Sequence, residues 1–151
     1  EHQMNLEFYK AFGRTSPSLP LQNGGNIVHG NATRLDWEEV CPKNDGDEIY
    51  ILGNPPYLGS SMQNETQKQE LEDNCMGIKT FKNLDYIAIW FLKSSKYIKL
   101  INAKFAFVTT KSITQGEQVE MLWPSIFNQK LEIFLLTNHL SGQIMQKIKQ
   151  V

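Results

Sequence analysis

Residues 48–57 read Glu-Ile-Tyr-Ile-Leu-Gly-Asn-Pro-Pro-Tyr, a near-continuous apolar run from Glu48 to Leu52 that stops at Gly53 and meets paired prolines at once. Such a run suits a strand covered on both faces, as in a parallel sheet flanked by helices. Pro55 and Pro56 fix their own φ angles and push Asn54 out of the helical region, so the strand is expected to end in a stiff turn. In an open α/β sheet, ligands bind beyond the carboxyl ends of the strands, which makes this turn the first candidate site.

Upstream, Glu1–Phe12 has weak helical character and stops at Gly13, residues 14–25 are rich in Pro, Gly and Ser and read as a loop, and Asn26–His29 reads as a short strand. Downstream, MQNETQKQELEDN (62–74) is acidic and Gln-rich and reads as a solvated helix or a mobile loop beside the site. Leu84, Ile87, Ala88, Phe91 and Ile98 recur at helical spacing, with Lys93, Lys96 and Lys99 largely on the other side. Ala103–Thr110 reads as a second buried strand, Glu117–Phe127 as a helix interrupted or restarted by Pro124, and Leu131–Leu136 as a third strand. Strands alternating with helices predict an α/β fold with a mostly parallel sheet and crossover helices.

The turn has a definite chemistry. Neither proline carries an N–H, so the Pro55 carbonyl is an acceptor on a rigid frame, with the Asn54 side-chain oxygen as a second acceptor. An exocyclic amino group conjugated to a purine is a poor nucleophile, because its lone pair is delocalised into the ring. Two acceptors holding both of its protons would favour a pyramidal nitrogen whose lone pair points at an electrophilic methyl. Tyr57 would stack on the base, a contact worth on the order of 1–3 kcal/mol, once that base has left the duplex. The plainer reading of Asn54–Tyr57 is an ordinary loop with Tyr57 capping an edge of the core.

At these residues the sequence resembles the amino-methyltransferase superfamily, whose signature is Asp or Asn, then Pro-Pro and an aromatic. IVHGNATRLDW, YILGNPPYLGS, LDYIAIWFLKSSKYI and FAFVTTKSITQGEQV, in that order, resemble the methylase module of single-chain type IIL restriction–modification enzymes, which are gamma-class adenine-N6 DNA methyltransferases. The resemblance covers roughly Glu1 to Phe134. It implies an α/β fold, the C-terminal part of a Rossmann-like class I S-adenosylmethionine-dependent methyltransferase sheet. It implies that Asn54 and Pro55 bind the target N6 amine, in a turn stiffened by Pro56, and that Tyr57 stacks on an adenine flipped from double-stranded DNA. Asn31 stands where the family often has a residue contacting the adenine ring of the cofactor, and a turn residue in a Gly30–Asn31 pair fits equally well. Thr109–Thr114 would line the target pocket, or cap the loop and helix.

The family's Gly-rich cofactor turn and its acidic residue for the ribose do not occur in this sequence. Binding of S-adenosylmethionine and methyl transfer are therefore expected to need a separate upstream segment, and sequence recognition a downstream target-recognition domain. Without the upstream segment the sheet is expected to show unpaired edges or to self-associate. Release-factor glutamine methylases and some ribosomal RNA guanine methylases share the same turn, and a non-catalytic remnant also fits.

Composition adds boundaries. With 15 basic and 16 acidic residues the net charge is −1, which leaves no electrostatic footprint for nucleic acid on this chain alone. Cys41 and Cys75 lack metal-ligand spacing and read as free thiols of a reducing cytosol, and His2, His29 and His139 are scattered, so no metal site is expected. Trp37, Trp90 and Trp123 read as packing residues. No apolar stretch is long enough to span a membrane and no secretory signal opens the chain, so the cytoplasm is the expected location.

Family-like text ends near Phe134, which divides the chain into a partial catalytic domain, 1–134, and a divergent tail, 135–151. The tail, LLTNHLSGQIMQKIKQV, departs from the continuation the resemblance implies, Ala-x-x-x-Phe-Lys-Trp-x-Asn followed by Ala-Lys. Synonymous codons can be chosen for it so that a shifted frame reads FAYQSFKWANNAKNKAG. Loss of a thymine from a run encoding Ile133-Phe134-Leu135 would produce the change. A tail of that origin is expected to be poorly packed, frayed or helical by accident.

Overall fold

The structure, a computed structural model, describes residues 2–13, 26–75, 77–99, 103–138 and 143–150. The chain divides into two compact units, 1–30 and 31–151. In the first, helix α1 (His2–Phe12) ends where the Gly13 N–H closes on the Tyr9 carbonyl at 2.8 Å. Gly13 does so at φ +65°, a left-handed conformation that glycine adopts without a steric penalty. Asn26–His29 is coil, not the expected strand, because no ladder partner reaches it among the described residues, and Ile27 is exposed. The expected loop at 14–25 lies outside the described residues.

The second unit runs α2 (Trp37–Val40), β1 (Ile49–Gly53), α3 (Glu65–Asn74), α4 (Ala88–Tyr97), β2 (Ala103–Thr110), α5 (Glu117–Phe127), β3 (Leu131–Asn138) and β4 (Gln143–Gln150). Tight 3-10 turns occupy Ser60–Met62, Phe81–Asn83 and Lys111–Thr114. The four strands lie in the order β1-β2-β4-β3. β1 is parallel to β2, with Ile49 opposite Ala103 and Gly53 opposite Phe107. β4 is antiparallel to both β2 and β3. The sheet is therefore mixed, which corrects the mostly parallel expectation. Strands separated by a short connection can pair only antiparallel, and β3 and β4 are so connected. Since β4 is reversed against both of its neighbours, β1, β2 and β3 still point the same way.

The 62–74 segment forms a helix because a capping box starts it: the Asn64 side chain accepts from the Gln67 N–H, and the Gln67 side chain accepts from the Asn64 N–H. In and around α4, Leu84, Ile87, Ala88, Phe91 and Ile98 are all buried, as their spacing predicts, while Lys96 and Lys99 stay exposed. Phe91 is the centre of the core. It meets Phe105 and Phe107 of β2 edge-to-face at 5.9 and 5.3 Å, and Trp123 of α5 at 5.6 Å. Each such pair contributes about 0.5–1.5 kcal/mol beyond the area it buries. α5 continues through Pro124 as one helix.

β1 was expected to be covered on both faces and is a half-covered edge strand instead. Ile49 and Ile51 pack against the core, whereas Tyr50 and Leu52 are 56% and 76% exposed. Among the described strands β2 alone pairs with it, which leaves it at the edge of the sheet.

In the tail, the described residues 135–138 and 143–150 are strand and not frayed or helical in their backbone. β4 pairs with β2 from Gln143 opposite Thr110 to Lys149 opposite Lys104. Ile144, Gln146 and Ile148 alternate with Met145, Lys147 and Lys149, a strand-like period, and the ladder itself uses only backbone groups. The expected boundary after residue 134 falls inside β3, at a bulge between Ile133 and Leu135 where Phe134 is the extra residue. One extra residue reverses which side chains face which side of a sheet. Among the described residues no helix is long and apolar enough to cross a membrane.

Candidate active site

The chain leaves β1 at Gly53 and runs as coil through Gly59. Pro55 is buried, Asn54 and Pro56 are exposed, and Tyr57 is 38% exposed. One proline thus anchors the turn while Asn54 and Tyr57 present their side chains at the surface. A Cβ at Gly53 would stand 3.5 Å from ring carbons of Phe107, an ordinary contact, so packing within this chain does not itself demand glycine there.

Behind Tyr57, the Leu58 carbonyl accepts from the Tyr86 N–H at 2.8 Å and from Nε2 of Gln63 at 3.2 Å. The same Nε2 donates to the Leu84 carbonyl at 2.9 Å. The turn is thereby tied to the residues that open α4.

The loop after β2 meets the loop after β1 across Asp85. Ser112 Oγ donates to Asp85 Oδ2 at 2.5 Å, and a Cβ at Gly59 would lie 3.7 Å from Asp85 Oδ1. The Asp85 N–H donates to Oε1 of Gln118 at 3.0 Å, so α5 joins the same corner. Within Thr109–Thr114, Thr110 and Ser112 share a hydrogen bond of 2.7 Å and Thr114 donates to the Lys111 carbonyl at 2.9 Å, both bonds local to a tight turn. Trp123 holds that turn by donating from Nε1 to the Ile113 carbonyl at 2.8 Å. The segment therefore lies beside the candidate turn, and the hydroxyls of Thr110, Ser112 and Thr114 are engaged locally.

Asn31 connects to this corner only through a polar cluster. Its Oδ1 accepts from the Thr33 N–H at 3.0 Å and the Thr33 hydroxyl at 2.8 Å, and its Nδ2 donates to Glu70 Oε1 at 2.9 Å. Of the two sequence readings, these bonds are those of the turn residue. Glu70 also receives Arg34, at 2.8 Å from Nε and 2.7 Å from the terminal nitrogen, and the Tyr86 hydroxyl. Although Glu70 is 5% exposed, its carboxyl sits below its ordinary pKa: burial pushes it up, and bonds from Tyr86, Thr33 and Arg34 together outweigh that push. Burial, and then Glu70, raise the Tyr86 hydroxyl to about 12, so it stays protonated and donates.

Sequence reading missed Glu70, Arg34, Tyr86, Gln63 and Asp85. One signal was available for Glu70. Leu71 is the sole apolar residue of α3, so the buried face must centre on it, and Glu70 and Asn74 border that face.

Asn31, the expected contact for S-adenosylmethionine, has its side-chain oxygen taken by the Thr33 N–H and hydroxyl. Among the described residues no cluster of His, Cys, Asp and Glu could hold a metal. Cys41 and Cys75 are free, and burial raises the Cys75 thiol to about 12.

A family model described as MmeI, DNA-methyltransferase domain, matches residues 1–142. DNA methyltransferase A of Bacillus subtilis (strain 168) is 46% identical over 134 residues, which are 88% of this chain and 15% of the relative. A solved structure of the type IIL restriction–modification enzyme MmeI in complex with DNA matches with a TM-score of 0.75 and 36% identity, over 98% of this chain and 21% of that one. The chain thus spans a minor part of both.

The cluster predicts a pH dependence. A carboxylate whose folded pKa is depressed contributes stability that is present above its unfolded value, about 4.3, and is lost as pH falls through the folded value. Thermal unfolding followed from pH 7 to pH 3 should show a fall in Tm that Glu70→Gln diminishes. At pH 7 the variant should already be less stable, by about 1–3 kcal/mol, because buried donors lose their charged acceptor. Identical pH profiles for the two proteins would mean that Glu70 is not the source.

Proposed function

The chain belongs to the family described as MmeI, DNA-methyltransferase domain, and on that footing we propose that it carries the catalytic turn of a restriction–modification enzyme that moves a methyl group from S-adenosylmethionine to adenine N6 in DNA. One observation carries this reading: Asn54-Pro55-Pro56-Tyr57 stands at the carboxyl end of a strand in a parallel pair, anchored by a buried proline, with Asn54 and Tyr57 at the surface. The Asn54 side-chain oxygen and the Pro55 carbonyl accept hydrogen bonds from the two N–H groups of the N6 amine, which localises its lone pair, and the methylated nitrogen then releases one proton to solvent. Pro56 stiffens the turn. Tyr57 stacks on the flipped adenine. S-adenosylmethionine supplies the methyl group when bound.

A Rossmann-like class I sheet is supported by the common direction of β1, β2 and β3 and by the site at their carboxyl end. Double-stranded DNA is the proposed partner, because the structural relative is a complex with DNA. In this reading a segment before the turn provides the cofactor surface, a domain after it reads the DNA sequence, and the enzyme works in the cytoplasm. Asn31 can offer the cofactor's adenine ring only its remaining N–H, since its oxygen is filled by Thr33.

The test compares this chain alone with the chain joined to the flanking segments of the Bacillus relative, using radiolabelled cofactor on unmethylated DNA. The chain alone should transfer nothing and the assembled enzyme should turn over. Asn54→Ala in the assembled enzyme should lower kcat about 10³-fold, the scale of losing one acceptor or donor matched to the transition state, with cofactor affinity kept. Turnover by the chain alone, or loss of cofactor affinity in the variant, would contradict the assignment.

The free edge of β1, with Tyr50 and Leu52 exposed, is proposed to self-associate when the chain is alone. Sedimentation velocity should show dimers or larger species growing with concentration, and Leu52→Lys should suppress them. A strictly monomeric chain at high concentration would refute this.

Residues 135–151 are proposed to result from a reading-frame shift. The readable shifted frame supports this, whereas the strand pairing of β3 and β4 counts against the frayed or helical tail that such an origin predicts. Sequencing the gene decides it: the junction should carry a thymine run, and the shifted frame should encode Phe-Lys-Trp downstream.

A further inference from the structure

Gln63 sits between the Ser60–Met62 turn and Asn64, the cap of α3, and is 5% exposed. Its Nε2 bonds the Leu58 and Leu84 carbonyls, while its Oε1 is buried with no hydrogen-bond partner. Only the nitrogen of a carboxamide can bond two carbonyls, so its orientation is set by chemistry. A buried acceptor left unbonded costs stability. A side chain serving packing alone would do better as an apolar one of the same length. What the amide adds is its grip on the Leu58 carbonyl, which lies one residue beyond Tyr57 and also receives the Tyr86 N–H. Two donors on that one carbonyl fix the Leu58–Gly59 peptide plane, one peptide beyond the bond that joins Tyr57 to Leu58.

We propose that Gln63 is a positioning residue for methyl transfer: without touching the base, it fixes the backbone after Tyr57 and thereby the plane that the Tyr57 ring offers to an extruded adenine. This rests on the DNA methyltransferase reading above. Tyr86 is the companion donor, with its hydroxyl on Glu70, so the polar cluster backs the same carbonyl from the other side.

The test uses Gln63→Met and Gln63→Glu in the assembled enzyme, with Asn54→Ala as control. Gln63→Met should keep its Tm within a few degrees, because the unbonded acceptor disappears together with the two bonds. Its kcat should fall roughly 10- to 100-fold, the scale of a small misplacement at a reacting centre, with KM for the cofactor changed less than about 3-fold. The fluorescence of 2-aminopurine at the target position should differ from wild type, reporting altered stacking. Gln63→Glu should resemble the Met variant at high pH and recover in part as pH falls, since a protonated carboxyl can donate one bond. The Met variant should show no such recovery.

Wild-type kcat in Gln63→Met, where Asn54→Ala is inactive, would overturn this inference alone. Full transfer by Asn54→Ala would remove the methyltransferase reading and this inference with it. A measurement on the chain itself needs no turnover: amide exchange at Tyr86 should quicken at least about tenfold in Gln63→Met, with Phe105 and Phe107 in β2 unchanged. Unchanged exchange at Tyr86 would also overturn it.

Discussion

Because β1 and β2 run the same way, the chain leaving Gly53 must travel back along the sheet before it can enter Ala103, and everything between them is shaped by that return. α3 and α4 make the crossing. Phe91 packs the return onto β2 through Phe105 and Phe107. The loops after β1 and β2 are then forced to emerge at the same end. Asp85, shortly before α4, lies between them, bonded to Ser112 and beside Gly59. A hairpin in place of the crossover would put the second loop at the far end of the sheet, and the corner would not exist.

Much of this was legible in the sequence where the signal is local. The five apolar positions of 84–98 are buried because helical periodicity depends only on neighbours along the chain. The end of β1 and the coil after it follow from two prolines, whose effect on their own backbone is independent of the fold. Pairing was not legible. A strand's partners are distant in sequence, so nothing in Asn26–His29 reveals the absence of a neighbour, and nothing in residues 48–53 reveals that Tyr50 and Leu52 stay exposed. The insertion of β4 between β2 and β3 is likewise a property of the sheet and not of residues 143–150.

The candidate site shows the same division. Asn54 to Tyr57 could be proposed because the candidate chemistry lies in one continuous segment. Its support could not, because Gln63, Glu70, Tyr86 and Arg34 look like ordinary polar residues until the fold brings them together. Asn31 shows how context selects among uses of one residue. The Gly-Asn pair allowed a turn or a ligand contact, and Thr33 and Glu70 have taken most of what the carboxamide can offer.

Stability and exposure are distributed unevenly for a physical reason. The aromatic packing lies between the helices and the sheet, where dispersion and burial hold it. Tyr50, Leu52, Asn54 and Tyr57 lie at the surface. In the proposed reading, an acceptor meant for a substrate cannot also be satisfied inside the protein, so the candidate turn cannot draw its rigidity from those atoms. Its anchors are instead the buried ring of Pro55 and the carbonyl of Leu58, which flank Asn54 and Tyr57 without occupying the proposed acceptors.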